Sequence, residues 1–444
     1  MNYEDARKYL AGQSKSGMNL GLGRMKELCR RLGNPENKLS FIHIAGTNGK
    51  GSTAAFLSSM LAVHGLVVGR YVSPVVFRYE ECIQYEDIKG IHFIEKELLA
   101  EIVTKTAAAV EEMQREDMES PTIFEIETAM SFLAFEHWQC SVVVLEVGLG
   151  GREDATNVVE NVAASVITPI GMDHMTFLGN TIEKIAAEKA GIIKDNGLVI
   201  TNQPEEKAWS VIREEAKERH AALYTVSKED ITVLSAGLGG TVFSYKGKNY
   251  RIDMPGMYQV ENAALALEVC DHLSENPQRF TGEKISLTTE EKMVGLRNTF
   301  WSGRFEVISS EPLIILDGAH NPAGAKALAD SIEELLPGRK LHGIMGVFAD
   351  KNYESIVEIL FPYFSDIVTI TPSSPRGLAK EELAKVWRKC AQRAEEAGKS
   401  CFCREIQMAD SPMEGLKKIL SFYKEGDAVI LFGSLSFFKE LNWK

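Results

Sequence analysis

Phe41-Ile42-His43-Ile44-Ala45-Gly46-Thr47-Asn48-Gly49-Lys50-Gly51-Ser52 is the stretch from which the fold is read. Phe41–Ala45 is a short apolar run of strand type, and a helical pattern follows from Ser52 to His64. Between them, glycines let backbone N–H groups converge on phosphate oxygens where a side chain would obstruct. The helix N-terminus adds positive potential, and Lys50 has the reach to meet terminal phosphates. Ile44 stands where the first glycine of G-x-x-x-x-G-K-[ST] belongs, and Gly51 directly follows the lysine, so this is a variant phosphate loop. Thr47, Asn48, Gly49, Lys50, Gly51 and Ser52 are its candidate phosphate ligands. No N-K-x-D guanine signature occurs, the nearest string being Asn37-Lys38-Leu39-Ser40, which favours adenine.

Outward from this loop, short apolar runs alternate with longer helical patterns, the mark of parallel α/β architecture. Strands are expected at Phe41–Ala45, Val67–Val72, Ser141–Val147, Val162–Thr168 and Leu198–Thr201. Helices are expected at Glu95–Glu116, Pro121–Trp138, Thr181–Ala190, Glu205–His220 and Asn262–Ser274, with an antiparallel meander over Ile231–Asp253. A second alternating series begins after Trp301, with strands at Leu313–Leu316, Leu341–Val347, Asp366–Ile370 and Ala428–Phe432. The expected fold is therefore α/β: an N-terminal parallel-sheet ATPase unit of the P-loop type over 1–297, and a smaller C-terminal Rossmann-like α/β unit over 298–444.

The composition narrows the function classes. The chain has 444 residues, 45% hydrophobic and 25% charged, the balance of an ordinary globular protein. A net charge of -13 gives no chain-wide basic footprint for nucleic acid. Seven scattered cysteines, with no C-x-x-C pair, read as reduced thiols of a cytoplasmic protein. The polar start MNYEDARKYL does not read as a signal peptide, and no apolar run approaches the ~20 residues that span a bilayer.

Further motifs supply metal-binding chemistry. Glu146 lies near the end of the strand Ser141–Val147 and precedes Gly148-Leu149-Gly150-Gly151-Arg152. A carboxylate at a strand's carboxyl end, beside a phosphate loop, is where a nucleotide-bound Mg²⁺ needs an oxygen ligand. Asp173-His174 follows the next strand and could converge on the same ion, and Ser73-Pro74 offers a hydroxyl at the end of a third. Taken alone, His174 is as readily a structural hydrogen-bonding residue, Ser73 a turn residue, and Lys189 a partner of the helix dipole.

With GTNGKGS, LEVGLGGREDATN, GMDH, EKAGI, WSGRFE, LDGAHNP and GSL in this order, the chain resembles the folylpolyglutamate synthase/dihydrofolate synthase family of the Mur ligase superfamily. The resemblance implies that Asn262, Arg304 and Asp317 complete the ATP site. It implies Ser73, Glu146 and His174 as Mg²⁺ ligands, and Lys189 as a carbamylated lysine serving a second Mg²⁺. Asn19, Leu20, Gly21, Thr122, Phe124, Glu125, Glu153 and Asp154 would line the pterin or pteroate site. Lys50, His174, Lys189 and His320 would serve the chemistry, with His320 near acyl transfer. ATP, two Mg²⁺ and a monovalent cation are the implied cofactors, and folate or dihydropteroate with L-glutamate the implied partners of a monomer. The chain departs from the family at Val75, where the family reads His, and at Asn19, where it reads Asp.

The activity implied is ATP-dependent addition of L-glutamate to folate, extending to dihydropteroate, through an acyl phosphate. Two rivals stand beside it: a Mur-type cell-wall peptide ligase, and a non-catalytic ATP-binding protein of the same fold. GLGGREDATN with LDGAHNP opposes the first, and the full set Lys50, Glu146, His174 and Lys189 opposes the second.

Overall fold

The computed structural model describes residues 1–13, 21–203, 205–280, 285–397, 403 and 405–441. The first sheet contains β1 (Phe41–Ala45), β2 (Val68–Tyr71), β3 (Ile83–Asp87), β4 (Gly90–Phe93), β5 (Val142–Glu146), β6 (Val162–Ile167), β7 (Leu198–Thr201) and β8 (Ala222–Thr225). Its order is β4-β3-β2-β5-β1-β6-β7-β8, parallel from β2 through β8, with β3 and β4 added as an antiparallel hairpin edge. A separate antiparallel meander follows: β9 (Ile231–Gly237), β10 (Gly240–Tyr245) and β11 (Lys248–Ile252).

The third sheet contains β12 (Glu306–Ser310), β13 (Leu313–Asp317), β14 (Leu341–Met345), β15 (Asp366–Thr369), β16 (Glu405–Met408) and β17 (Ala428–Phe432), in the order β12-β13-β17-β14-β15-β16. Only its edge strand β12 is antiparallel to its neighbour, as the alternating α/β pattern requires.

Every residue of β1, β5, β13, β14 and β17 is buried, because helices cover both faces of each sheet. The helix Lys50–Val63 is buried almost all round from Gly51 to Ala62, wedged between the sheet and the helices Tyr258–Glu275 and Thr289–Asn298. Its small residues, Ala54, Ala55, Ser58, Ser59 and Ala62, permit that close sandwich. The meander turns Phe243, Tyr245, Tyr250 and Ile252 into the same core, while Ala236 and Leu238 lean on the core of the third sheet.

Most expected strands form within two residues of their expected bounds. The helix expected from Ser52 begins at Lys50, and that expected from Asn262 begins at Tyr258. The hairpin β3–β4, the edge strands β8, β12 and β16, and the helices Tyr3–Gln13, Gly23–Arg31 and Thr289–Asn298 carry no expectation from the sequence. Edge strands need bury only part of their surface, so they lack the continuous apolar run by which a central strand is recognised.

Candidate active site

The carboxyl ends of β1, β2, β5, β6 and β13 open onto one cavity of about 690 Å³. Ligands of open α/β sheets bind at this end, where loops diverge. Because β2, β5, β1 and β6 are neighbours, the Ser73 turn, Glu146, the glycine loop and the Asp173 loop are brought side by side. Thr47, Asn48, Gly49, Lys50, Gly51, Ser52, Ser73, Glu146, His174, Lys189, Asn262, Arg304, Asp317 and His320 all line this cavity.

The glycine loop is held from beneath. Gly46 has φ of 152°, and a Cβ there would run into the Thr168 hydroxyl and lie 2.9 Å from the Thr168 carbonyl oxygen. Gly49 has φ of 88°, and a Cβ there would lie 2.5 Å from Asn262 Oδ1, so Asn262 can sit against the loop only because position 49 has no side chain. Thr47 Oγ1 donates to the Gly171 carbonyl at 3.1 Å, tying the loop to the segment after β6.

Cations crowd this loop. Lys50 Nζ donates to the Gly46 carbonyl at 3.2 Å and lies 3.8 Å from Glu146 Oε1. Lys189, 5% exposed, donates to the same Gly46 carbonyl at 2.8 Å. Burial first, then the Lys50 charge, lower the Lys189 ammonium to about 7, against Asp173 and Asp154. Glu146 is pushed up by burial, opposed by Lys50, Arg304 and the Ser73 backbone N–H. Burial outweighs these partners, so the Glu146 carboxylate is left without full compensation of its charge.

The second lobe closes the cavity. The Asp317 carboxylate accepts from Tyr258 Oη at 2.7 Å, from Phe305 N at 3.0 Å and from Ala319 N at 2.8 Å. Those bonds oppose the effect of burial, which nonetheless raises its carboxyl above the usual range. His320 lies 3.6 Å from Asp173 and hydrogen-bonds through Nδ1 with the Gly318 carbonyl at 2.7 Å. Lys351 Nζ donates to Asp173 Oδ1 at 2.6 Å and lies 3.5 Å from His174 Nε2. Burial disfavours the Asp173 carboxylate, but His320, Lys351 and His174 outweigh it and hold the carboxyl well below its usual range. Burial and then Lys351 lower His174 to about 4, leaving it a neutral imidazole at pH 7.

Gly21, Thr122, Phe124, Glu125, Glu153 and Asp154 gather instead around the turn after β5. Gly21 N donates to the Glu153 carbonyl at 3.4 Å. A Cβ at Gly148 would run into the edge of the Phe124 ring. Thr122 and Glu125 cap the helix Ile123–His137 reciprocally, and Arg24 Nε donates to Glu125 Oε2 at 3.1 Å. Asp154, 3% exposed, accepts from Leu149 N at 2.8 Å, so its carboxylate shapes the Gly148-Leu149-Gly150 wall of the cavity. Asn19 and Leu20 lie outside the described residues.

Sequence reasoning passed over Lys351, Tyr258 and the side chain of Asn321. Asn321-Pro322 carried a readable signal, an N-cap followed by proline at the first helical position. Lys351 carried only its place just beyond β14.

The glutamate ligase domain of the Mur ligases matches residues 303–435, and the Mur ligase middle domain matches 44–270. The chain is 36% identical over 450 residues to the dihydrofolate synthase/folylpolyglutamate synthase of Bacillus subtilis, covering 99% of this chain and 98% of that one. It is similar to the crystal structure of the folylpolyglutamate synthase of Thermotoga maritima, with TM-score 0.80 and 31% identity over 99% of this chain and 95% of that one. It is also similar to E. coli FolC in complex with DHPP and ADP, with TM-score 0.83 and 28% identity over 99% of this chain and 97% of that one.

Proposed function

Because the chain belongs to the folylpolyglutamate synthase/dihydrofolate synthase family of Mur ligases, an ATP-dependent ligase family, we propose that it joins L-glutamate to a folate, and also to dihydropteroate. The observation that carries this reading is that Lys50 and Glu146, beyond β1 and at the end of β5, line a single cavity together with Arg304, Asp317 and His320 at the edge of the third sheet.

A carboxylate and an amine do not condense in water, because hydroxide is a poor leaving group. An acceptor carboxylate oxygen attacks the ATP γ-phosphorus, ADP leaves, and an acyl phosphate forms. The α-amino nitrogen of glutamate then attacks the acyl carbon, phosphate departs with the former carboxylate oxygen, and the nitrogen gives up a proton. Lys50 and Arg304 offset charge on the phosphoryl oxygens, a matter of positioning and electrostatics. Asn262 and the glycine loop orient the phosphate tail. With the second lobe in place, water is kept from the acyl phosphate.

Mg²⁺ fits this donor set. Among the described residues no three His, Cys, Asp or Glu side chains gather around one metal position. Mg²⁺ does not need them, since it keeps several waters and binds through one or two carboxylates plus substrate phosphates. Glu146, Ser73 and His174 would hold one ion, and Lys189 as a carbamate would serve a second. A lysine lowered to about 7 supports that modification, because CO₂ adds to the neutral amine. The ions would supply charge neutralisation on the phosphates.

We divide the chain into a nucleotide unit, 1–297, and a ligase unit, 298–444, at the end of the helix Thr289–Asn298. The two units of one chain line the cavity together, which supports a monomer as the working form. A muramyl peptide is the less favoured acceptor, given full-length similarity to folate synthases. ADP release with L-glutamate, comparing tetrahydrofolate, dihydropteroate and UDP-muramyl precursors, tests the reading. Release with either of the first two and none with the last is expected; the reverse pattern overturns it.

A further inference from the structure

His43 lies at the centre of β1, wholly buried, its backbone register set against Leu145 of β5 and Ser165 of β6. A polar ring in so apolar a strand demands a partner. Its Nε2 lies 2.9 Å from Thr156 Oγ1, and Thr156 Oγ1 lies 2.5 Å from Asp154 Oδ1. Asp154 also accepts from the backbone N–H of Thr156 at 3.0 Å and of Leu149 at 2.8 Å. A carboxylate surrounded by N–H donors accepts from the hydroxyl as well. The single hydroxyl hydrogen of Thr156 is thus spent on Asp154, and its oxygen can only accept from the ring. Nε2 therefore carries the hydrogen, and Nδ1, which has no hydrogen-bond partner among the described residues, is bare. Burial, followed by the charge of Lys194, holds the ring neutral.

The turn that this chain of bonds secures has two outlets. Gly148, Leu149 and Gly150 wall the cavity. Arg152 N donates to the Glu188 carbonyl at 2.8 Å, and Asn157 Nδ2 donates to the Gly191 carbonyl at 3.1 Å, fixing the helix end that carries Lys189.

We propose that His43 is a positioning residue for acceptor binding, acting through the Thr156 hydroxyl to fix the Asp154 carboxylate and the turn beside it. This rests on the reading above that Asp154 serves the pterin-bearing acceptor. The ring stands behind the site and touches no substrate. It links the strand that launches the phosphate loop to the turn that walls the acceptor end.

Steady-state kinetics with tetrahydrofolate and dihydropteroate test it in His43→Leu, Thr156→Val, Thr156→Ser and Asp154→Asn, with melting temperature measured on each. Thr156→Val, which removes a hydrogen bond to the Asp154 carboxylate, should raise acceptor KM about tenfold; His43→Leu, which removes one between neutral groups, should raise it about threefold; both should move ATP KM less than twofold. Thr156→Ser should restore acceptor KM, and the double variant should be no worse than the poorer single one. Equal changes in both KM values, or a lower melting temperature with acceptor KM unmoved, overturn the proposal. If Asp154→Asn itself leaves acceptor KM unchanged, the acceptor reading of this site falls and the proposal with it. If Asp154→Asn raises acceptor KM while Thr156→Val does not, the relay alone is wrong.

Discussion

Asn48 and Asn321 hold each other amide to amide across the two lobes, Asn48 Nδ2 donating to Asn321 Oδ1 at 3.1 Å and Asn321 Nδ2 to Asn48 Oδ1 at 3.0 Å. One sits in the phosphate loop and the other caps the helix Pro322–Leu335 by accepting from Gly324 N at 2.8 Å. The same Asn321 amide reaches Asp173 Oδ2 at 3.2 Å. Neutral amides make this clasp without adding charge where phosphates bind.

Asn321→Ser keeps a capping hydroxyl and removes the clasp. The melting temperature should barely move, while kcat/KM for ATP falls about tenfold or more, three side-chain hydrogen bonds being lost. An unchanged kcat/KM would mean that the clasp is incidental.

Lys351→Met strips the cation from a pair whose side chains are only 7% and 9% exposed. Asp173 keeps the Asn321 amide and His320, so the loss costs less than the ~3–5 kcal/mol of a fully unpaired buried charge, and the denaturation midpoint should still fall. Adding Asp173→Asn should recover most of that stability without recovering activity. Recovery of both would assign the pair to folding alone.

Lys189 gives a pH signature in the metal-free, nucleotide-free protein kept free of CO₂. Its folded value of about 7 lies below the ordinary 10.5, so the unfolded chain binds more protons between the two. Its contribution to stability is fully present above pH 10.5 and is lost as the pH falls towards 7, by at most about 1.4 kcal/mol per unit. Denaturant midpoints from pH 7 to 9 should rise more steeply in the wild type than in Lys189→Met. Parallel slopes would contradict the buried amine.

Glu146→Gln keeps the shape and removes the charge. Because burial already disfavours the ionised form, the melting temperature should hold or rise. Activity should fall about a hundredfold or more, and half-saturating Mg²⁺ should move upward, as loss of a metal ligand worth several kcal/mol requires. Near-normal activity at ordinary Mg²⁺ would remove Glu146 from the site.

The central strands were legible because a strand covered on both faces is a run of apolar residues, as in Val142-Val143-Val144-Leu145. The phosphate loop was legible because glycine marks where the backbone must be bare. Gly46 and Gly49 do occupy φ values that side chains resist. Lys351 was not legible: its partner Asp173 is 178 residues away, and only the approach of the two lobes gives the lysine a meaning. The edge strands failed for the opposite reason, as Glu405–Met408 buries too little to leave a pattern. The role of Thr122 and Glu125 as a helix cap was written locally in T-x-x-E, but their place beside Gly148 was not.

The most direct test of phosphoryl transfer onto an acceptor acid, followed by capture by glutamate, follows one oxygen atom. The acceptor is labelled with ¹⁸O in its carboxylate and turned over with ATP, Mg²⁺ and L-glutamate, and the released phosphate is analysed by mass. One ¹⁸O per phosphate, with one ADP formed for each glutamate added, is the expected result. Unlabelled phosphate alongside glutamylated product would contradict the acyl phosphate and the function built on it.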